Sequence, residues 1–173
     1  MKRSAISSSL LAIAVLLCHA QFSVACAQIV EIPTAASSDE FAAEPLRLQI
    51  RRSAHQVTLY RGEVVMKTYR IAVGRAGWET PIGTFQVFQM LRDPAWRHPL
   101  TRKVFAAGDP KNELGRYWIG FWTNGNISVG FHGTPHPETI GKSMSHGCIR
   151  MRDKDIEELF EQVDMGTRVT VVP

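Results

Sequence analysis

Two short stretches of this 173-residue chain hold residue types that do chemistry: FHGTP, from Phe131 to Pro135, and SHGCIRM, from Ser145 to Met151. Cys148 attacks carbonyls only as its thiolate, and an unperturbed thiol has a pKa of about 8.5. It therefore needs a base within hydrogen-bond reach, oriented in turn by a third group. His132 is the candidate base. It is expected at the end of a strand, where a side chain is held rigidly, and Gly133 behind it lets another backbone come close. The segment between His132 and Cys148 is punctuated by Gly and Pro and is long enough to fold back. His146 is the competitor. It lies two residues from Cys148, on the same side of an extended segment, where it would shape a pocket or touch substrate. Gly147 frees the backbone for a tight turn in which successive N–H groups point at one spot, as an oxyanion hole requires. Arg150 suits a substrate carboxylate, best through a bidentate contact.

Residue types alone leave three readings open. Cys148 and His132 are nucleophile and base; or Cys148 is an inert buried thiol and His132 an ordinary hydrogen-bonded histidine; or His132, His146 and Cys148 hold a zinc ion with water in the fourth position.

The start of the chain bears on the cysteine. Met1 to Ala27 has the features of a secretory signal: Lys2 and Arg3, then the apolar SSSLLAIAVLLC, then Ala25-Cys26-Ala27 as an A-x-A cleavage pattern. Ser7 to Ser9, His19 and Gln21 interrupt it too often for a membrane span. Leu17 before Cys18, and Ser23 three positions before Cys26, are poor matches to a lipid-modification site. Cleavage after Ala27 removes Lys2, Arg3, Cys18 and Cys26, which lowers the net charge from +4 to +2 and leaves Cys148 as the only cysteine. So balanced a charge gives no case for a nucleic-acid partner. The expected location is outside the cytoplasm, in the periplasm or cell envelope. There a lone cysteine has no internal disulfide partner and is either a liability or a reactive thiol kept for use.

Elements must then position these residues. Residues 28–45, rich in Ala, Ser, Glu and Pro without a clear period, read as a flexible tether, and residues 46–173 as one domain. Leu46, Leu48 and Ile50 alternate with charged and polar residues, as do Val57 and Leu59; VVMKTYRIAV (64–73), Thr84 to Phe88 and Thr167 to Val172 are further strand candidates. Asn124-Gly125, between two β-rich runs, predicts a hairpin in which both residues take positive φ. Leu91 to Gly115 carries Pro94, Pro99, Gly108 and Pro110 and reads as a long irregular loop, a candidate lid; Arg97, Arg102, Lys103 and Lys111 on it read first as a solvated face, with contact to a substrate's glycan or carboxylates the alternative. One helix is expected, capped by Asp153, with Ile156, Leu159, Phe160 and Val163 on its apolar stripe and Gly166 at its end. The expected class is mostly β with a short helix after the cysteine.

FHGTP followed by IGKSMSHGCIRM closely resembles the signature of the YkuD-type L,D-transpeptidases, and ETPIGTF, Glu79 to Phe85, is similar to that family's TPxGxF stretch. The resemblance runs from about Leu46 to Val172. It implies a YkuD-like β-sandwich that cross-links bacterial peptidoglycan without a cofactor or metal. A stem tetrapeptide is the expected acyl donor. Cysteine attacks the carbonyl of its third residue, usually a diamino acid, and expels the terminal D-alanine. An amine from a second stem, or from a wall-anchored protein, resolves the thioester; water in its place gives carboxypeptidase action. Carried over by position, Cys148 is the nucleophile, His132 the base, and the Gly133 carbonyl the group that orients it. The N–H groups of His146, Gly147 and Cys148 are the oxyanion-hole candidates, and Ser145 and Arg150 the substrate-binding ones. A monomer is expected. A wall-binding domain with a silent thiol and a zinc hydrolase are the competing classes.

Overall fold

The structure, a computed structural model, describes residues 38–173; the signal, its cleavage site and most of the expected tether lie outside them. A short helix α1 (Ser38–Ala43) leads into β1 (Leu46–Arg51), β2 (Gln56–Arg61), β3 (Val64–Arg70), β4 (Val73–Gly74) and β5 (Gly83–Gln86). Next come β6 (Gln89–Arg92), β7 (Trp96–Arg97), β8 (Val104–Phe105), β9 (Tyr117–Thr123) and β10 (Ser128–His132). After a single 3-10 turn at Pro137–Thr139 follow β11 (Ser143–Ser145), β12 (Ile149–Arg150), α2 (Asp153–Phe160) and β13 (Arg168–Val172). The domain is mostly β, as its alternating sequence predicts.

Two sheets carry the core. One has the order β3-β2-β1-β13-β5, the other β12-β10-β9-β6. Period-2 alternation sends Leu48, Ile50, Val57, Leu59, Val169 and Val171 to one buried face. They meet in register: Leu48 faces Leu59 and Val169, and Ile50 faces Val57 and Val171. A one-residue slip would expose all six, so burial fixes the pairing. From the second sheet come Ile119, Phe121, Val129, Phe131 and Ile149, all buried. Phe85 of β5 and Phe121 of β9 join the two layers at a ring separation of 5.9 Å, and Phe131 packs on Phe121 at 5.2 Å. Helix α2 adds Ile156 and Leu159 to the same cluster.

Several local readings are corrected. The run 64–73 is not one strand. Ile71 donates its N–H to His55 O, and Ala72 exchanges both backbone hydrogen bonds with Arg150, so the chain leaves the first sheet and reaches the strand after the cysteine. Asp153 does not cap α2; Arg152 holds the cap position, and the Asp153 carboxylate accepts from Thr134 N–H at 3.2 Å. The helix stops at Phe160, before Val163, and Gly166, at φ +87°, turns the chain into β13 instead. At Asn124-Gly125 only Gly125 has positive φ, because Asn124 Oδ1 accepts from the N–H groups of Asn126 and Ile127 and closes a wider loop. The Leu91–Gly115 segment is partly regular: Leu91 and Arg92 belong to β6, and β7 pairs with β8 as a small hairpin. Residues Ser38–Ala43, at the end of the expected tether, are helical, and the Ala42 carbonyl accepts from Arg61 Nη1 at 2.8 Å.

Phe131 is fully buried and precedes His132 on β10. Phe131→Ala should lower unfolding stability by about 3–5 kcal/mol, read as the midpoint shift in urea; a loss below about 1 kcal/mol would mean that the core under the site closes over the gap.

Candidate active site

His132 ends β10, paired with Trp118 on one side and Arg150 on the other. Only 4% of it is exposed. A buried imidazole must satisfy its N–H, and here Nδ1 donates to the Gly133 carbonyl at 2.6 Å and, more weakly, to the Glu113 carbonyl at 3.2 Å. That fixes the tautomer with the proton on Nδ1 and the lone pair on Nε2. The Trp118 ring stacks against it at 6.3 Å. Gly130 gives that indole its room: a Cβ there would sit 2.8 Å from Trp118 Cζ2. Gly133 is forced in the same way, since a Cβ would lie 2.5 Å from Asp153 Oδ1.

The cysteine sits on a tight, cross-braced turn. Gly147 has φ +112°, a conformation that side chains disfavour. The buried Ser145 hydroxyl donates to the Cys148 carbonyl at 2.5 Å and accepts from Gly147 N–H at 3.1 Å. From outside the turn, Thr80 Oγ1 donates to the Gly147 carbonyl at 2.8 Å and accepts from Gly74 N–H at 3.1 Å. The threonine of ETPIGTF is thus a brace for the cysteine loop. With Gly147 N–H taken by Ser145, the N–H groups of His146 and Cys148 are the uncommitted ones of the three nominated from the sequence. Ser145, expected to bind substrate, spends both hydrogen bonds on the turn.

Cys148 is half-buried and donates its S–H to Ser128 O at 3.7 Å. Cys148 and His132 both line one end of a cleft, together with Ser145, His146 and Arg150. An adjoining stretch of cleft, about 320 Å³, runs from Cys148 and His146 past Trp78, Trp96 and Trp118, with Arg97 and Arg102 on the hairpin wall. Those two arginines are exposed, and the β7–β8 hairpin places them on the cleft wall, while Lys103 and Lys111 stay off its lining. No acidic residue lines this stretch, whereas Glu113 lines the end that holds His132. His146 Nε2 accepts from Arg75 Nη2 at 2.8 Å and meets Trp78 edge-on at 5.0 Å, so it too is neutral and fixed in tautomer.

Arg150 departs from its expected role. Its guanidinium donates to the Glu113 carboxylate at 2.8 Å, and only 12% of its side chain is exposed. Among the described residues, no three His, Cys, Asp or Glu side chains converge closely enough to hold a metal ion.

Burial pushes the His132 pKa down to about 4, and the nearby Arg150 charge adds to the effect. Burial pushes the Cys148 thiol up, opposed by a backbone contact with Gly130 and by Arg150. The resting site therefore holds a neutral imidazole and a protonated thiol. Sequence reading missed Glu113, Arg75, Trp78 and Trp118. Nothing local marks them, since each acts through a contact distant in the chain.

The match to a family model for the L,D-transpeptidase catalytic domain, YkuD, covers residues 45–171. The chain belongs to that family. A putative L,D-transpeptidase of Bacillus subtilis, YkuD, is 38% identical over 127 residues, covering 73% of this chain and 66% of its own length. A second Bacillus subtilis relative, the putative L,D-transpeptidase YqjB, is 34% identical over 125 residues, 70% of this chain and 68% of its own. The fold is that of L,D-transpeptidase 3 from Mycobacterium tuberculosis, crystallised with a faropenem-derived adduct: TM-score 0.60, 20% identity, 74% of this chain and 60% of that one. The avibactam carbamoyl enzyme of Ldtfm superposes with TM-score 0.62 at 25% identity, over 80% of this chain and 53% of that one. The chain thus spans about two thirds or less of the length of these relatives.

The low pKa of His132 has a consequence for stability. Between about 4 in the native protein and 6.5 for an ordinary imidazole, the unfolded chain holds a proton that the native one refuses. Its contribution is intact above pH 6.5 and is lost as pH falls towards 4, on the order of 3 kcal/mol in all. Melting temperature measured from pH 7 to 4 should therefore drop more steeply for wild type than for His132→Gln; parallel curves would contradict a neutral buried imidazole.

Proposed function

We propose that the protein is an exported cysteine L,D-transpeptidase that acts on peptidoglycan stem tetrapeptides through a thioester and forms 3→3 cross-links. The observation that carries this reading is the His132–Gly133 hydrogen bond, which presents a bare Nε2 in a cleft shared with the chain's half-buried Cys148. Family membership and the signal-like N-terminus support it. The relatives are named as transpeptidases, and the solved neighbours carry a faropenem-derived adduct or an avibactam carbamoyl group, which is a statement about them; the same acyl chemistry is proposed for this chain.

In the proposed reaction the donor lies in the cation-lined cleft with the carbonyl of its third residue over Cys148. His132 Nε2 takes the thiol proton as sulfur attacks. The tetrahedral oxyanion is met by the N–H groups of His146 and Cys148, the two left free by the brace on Gly147. Collapse breaks the bond to the terminal D-alanine, and the imidazolium returns its proton to the departing amine. An acceptor amine from a second stem attacks the thioester, His132 takes that proton, and the thiolate leaves and is reprotonated. Two neutral partners are suited to this exchange, because the charge separation is created only when an electrophile is there to take it up. Arg97 and Arg102, on a stretch of the cleft that no acid lines, favour the carboxylates of an anionic stem.

Intact-mass measurement with a stem tetrapeptide, and separately with a carbapenem, should show an adduct on wild type and none on Cys148→Ala. A folded wild type that takes up neither would favour a binding domain. Omitting the acceptor stem separates transfer from hydrolysis: release of tripeptide at the same rate with and without acceptor would mark a carboxypeptidase. The double variant Arg97→Gln/Arg102→Gln should raise the donor KM about tenfold with little change in the rate of carbapenem acylation, as expected if two exposed charge contacts of ~0.5–1 kcal/mol each are lost; an unchanged KM would return these residues to the solvated face.

A further inference from the structure

Arg150 was the natural anchor for a substrate carboxylate, yet it already has one. Its guanidinium is nearly buried and bound to Glu113 Oε2 at 2.8 Å, while the Glu113 side chain keeps 34% of its surface open. The same residue reaches the base by its backbone: the Glu113 carbonyl lies 3.2 Å from His132 Nδ1. The next residue repeats the grip, with the Leu114 carbonyl accepting from Gly133 N–H at 3.1 Å. Arg150 is the register partner of His132 on β12. One residue of the loop therefore holds the histidine from above and the strand beside it.

The loop end is itself anchored. Asn112 is buried, accepts from Leu114 N–H through Oδ1 at 3.0 Å, and donates through Nδ2 to the carbonyls of Pro94 and Ala106, on the two flanks of the β7–β8 hairpin. The cleft wall and the catalytic histidine are thereby joined through residues 112–114.

We propose that Glu113 is a positioning residue for His132: its carboxylate, held by Arg150, keeps its own carbonyl on Nδ1 and offsets the guanidinium charge next to the imidazole. This rests on the reading of Cys148 and His132 as nucleophile and base. An offset is needed because Arg150 disfavours the imidazolium that must form during attack. The other groups around the histidine do not supply it. The Asp153 carboxylate, from α2, holds Thr134 N–H and is not the one paired with Arg150, and His146 is neutral and bound to Arg75.

The test is a double-mutant cycle with Glu113→Gln, Arg150→Gln and the double variant, each shown to be folded by its melting transition. Glu113→Gln keeps the backbone carbonyl and removes the charge. It should lower the kcat for stem acylation about tenfold with KM within about twofold, and the double variant should be no slower than the slower single one, as expected of a unit. In 15N spectra of the imidazole, the Nδ1–H tautomer should lose population in Glu113→Gln. An unchanged kcat and tautomer in a folded Glu113→Gln, or strictly additive losses, would overturn the proposal. Carbapenem adduct formation on wild type keeps the two readings apart: without an adduct the reading of the site fails, and with an adduct but an unaffected Glu113→Gln only the positioning role fails.

Discussion

A histidine buried at the end of a strand has to give its one N–H to something, and the choice of acceptor decides what the other nitrogen is free to do. In this domain the acceptor is the carbonyl of the very next residue, at 2.6 Å. Much of the surrounding architecture serves that contact. Gly133 lacks a side chain because Asp153 occupies the space. Gly130 lacks one because the Ile119 carbonyl and the Trp118 ring, which stacks on the imidazole, occupy the space. Arg150 runs beside the base in register, and Met151 N–H returns to the His132 carbonyl at 2.9 Å. An aspartate in the orienting place would bring a second buried charge, with its desolvation cost. A carbonyl orients the ring without one, and the ring is then left neutral.

The cysteine is held by the opposite strategy. His132 is a rigid strand residue, whereas Cys148 lies just past a glycine in a conformation that other residues avoid. Such a turn persists only if its surroundings over-determine it. Here Ser145 braces it from within and Thr80 from outside, and Thr80 is fixed by Gly74 of β4. The chain's departure from the first sheet after Arg70 creates β4 and so puts Gly74 at this place. What reads in sequence as one interrupted strand is therefore the support of the nucleophile's turn.

The legible part of this protein was whatever repeats or lies close in sequence. The alternation in residues 46–51, 57–60 and 168–172 gave the first sheet, since a period of two has one reading when one face is buried. Two short motifs pointed to Cys148, His132 and the Gly133 carbonyl through family resemblance, and the geometry puts the last two in contact. The failures have a common cause. Asp153 and Gly166 were each given a helix-end role from their neighbours in sequence, and each is committed to a partner outside that window: Thr134 and Val87. Arg97 and Arg102 were placed on solvent because a charged, proline-rich segment looks like a loop face. The hairpin pairing of Trp96 with Phe105, a contact with no local signature, turns them towards the cleft.

The electrostatics of the site follow from how few charges it contains. Burial disfavours both the imidazolium and the thiolate, so a resting ion pair between Cys148 and His132 is opposed twice. Arg150 acts on the two ends in opposite senses: it favours the thiolate and disfavours the imidazolium. At the histidine end that cost falls on the imidazolium formed during attack, and the Glu113 carboxylate bound to the guanidinium is the charge proposed to offset it. The charge that remains uncompensated is the one on sulfur as it becomes an oxyanion on the carbonyl. That is the charge the free N–H groups of His146 and Cys148 are placed to meet. On the proposed mechanism, activation is then not stored in the resting thiol but arrives with the electrophile once a donor enters the cleft.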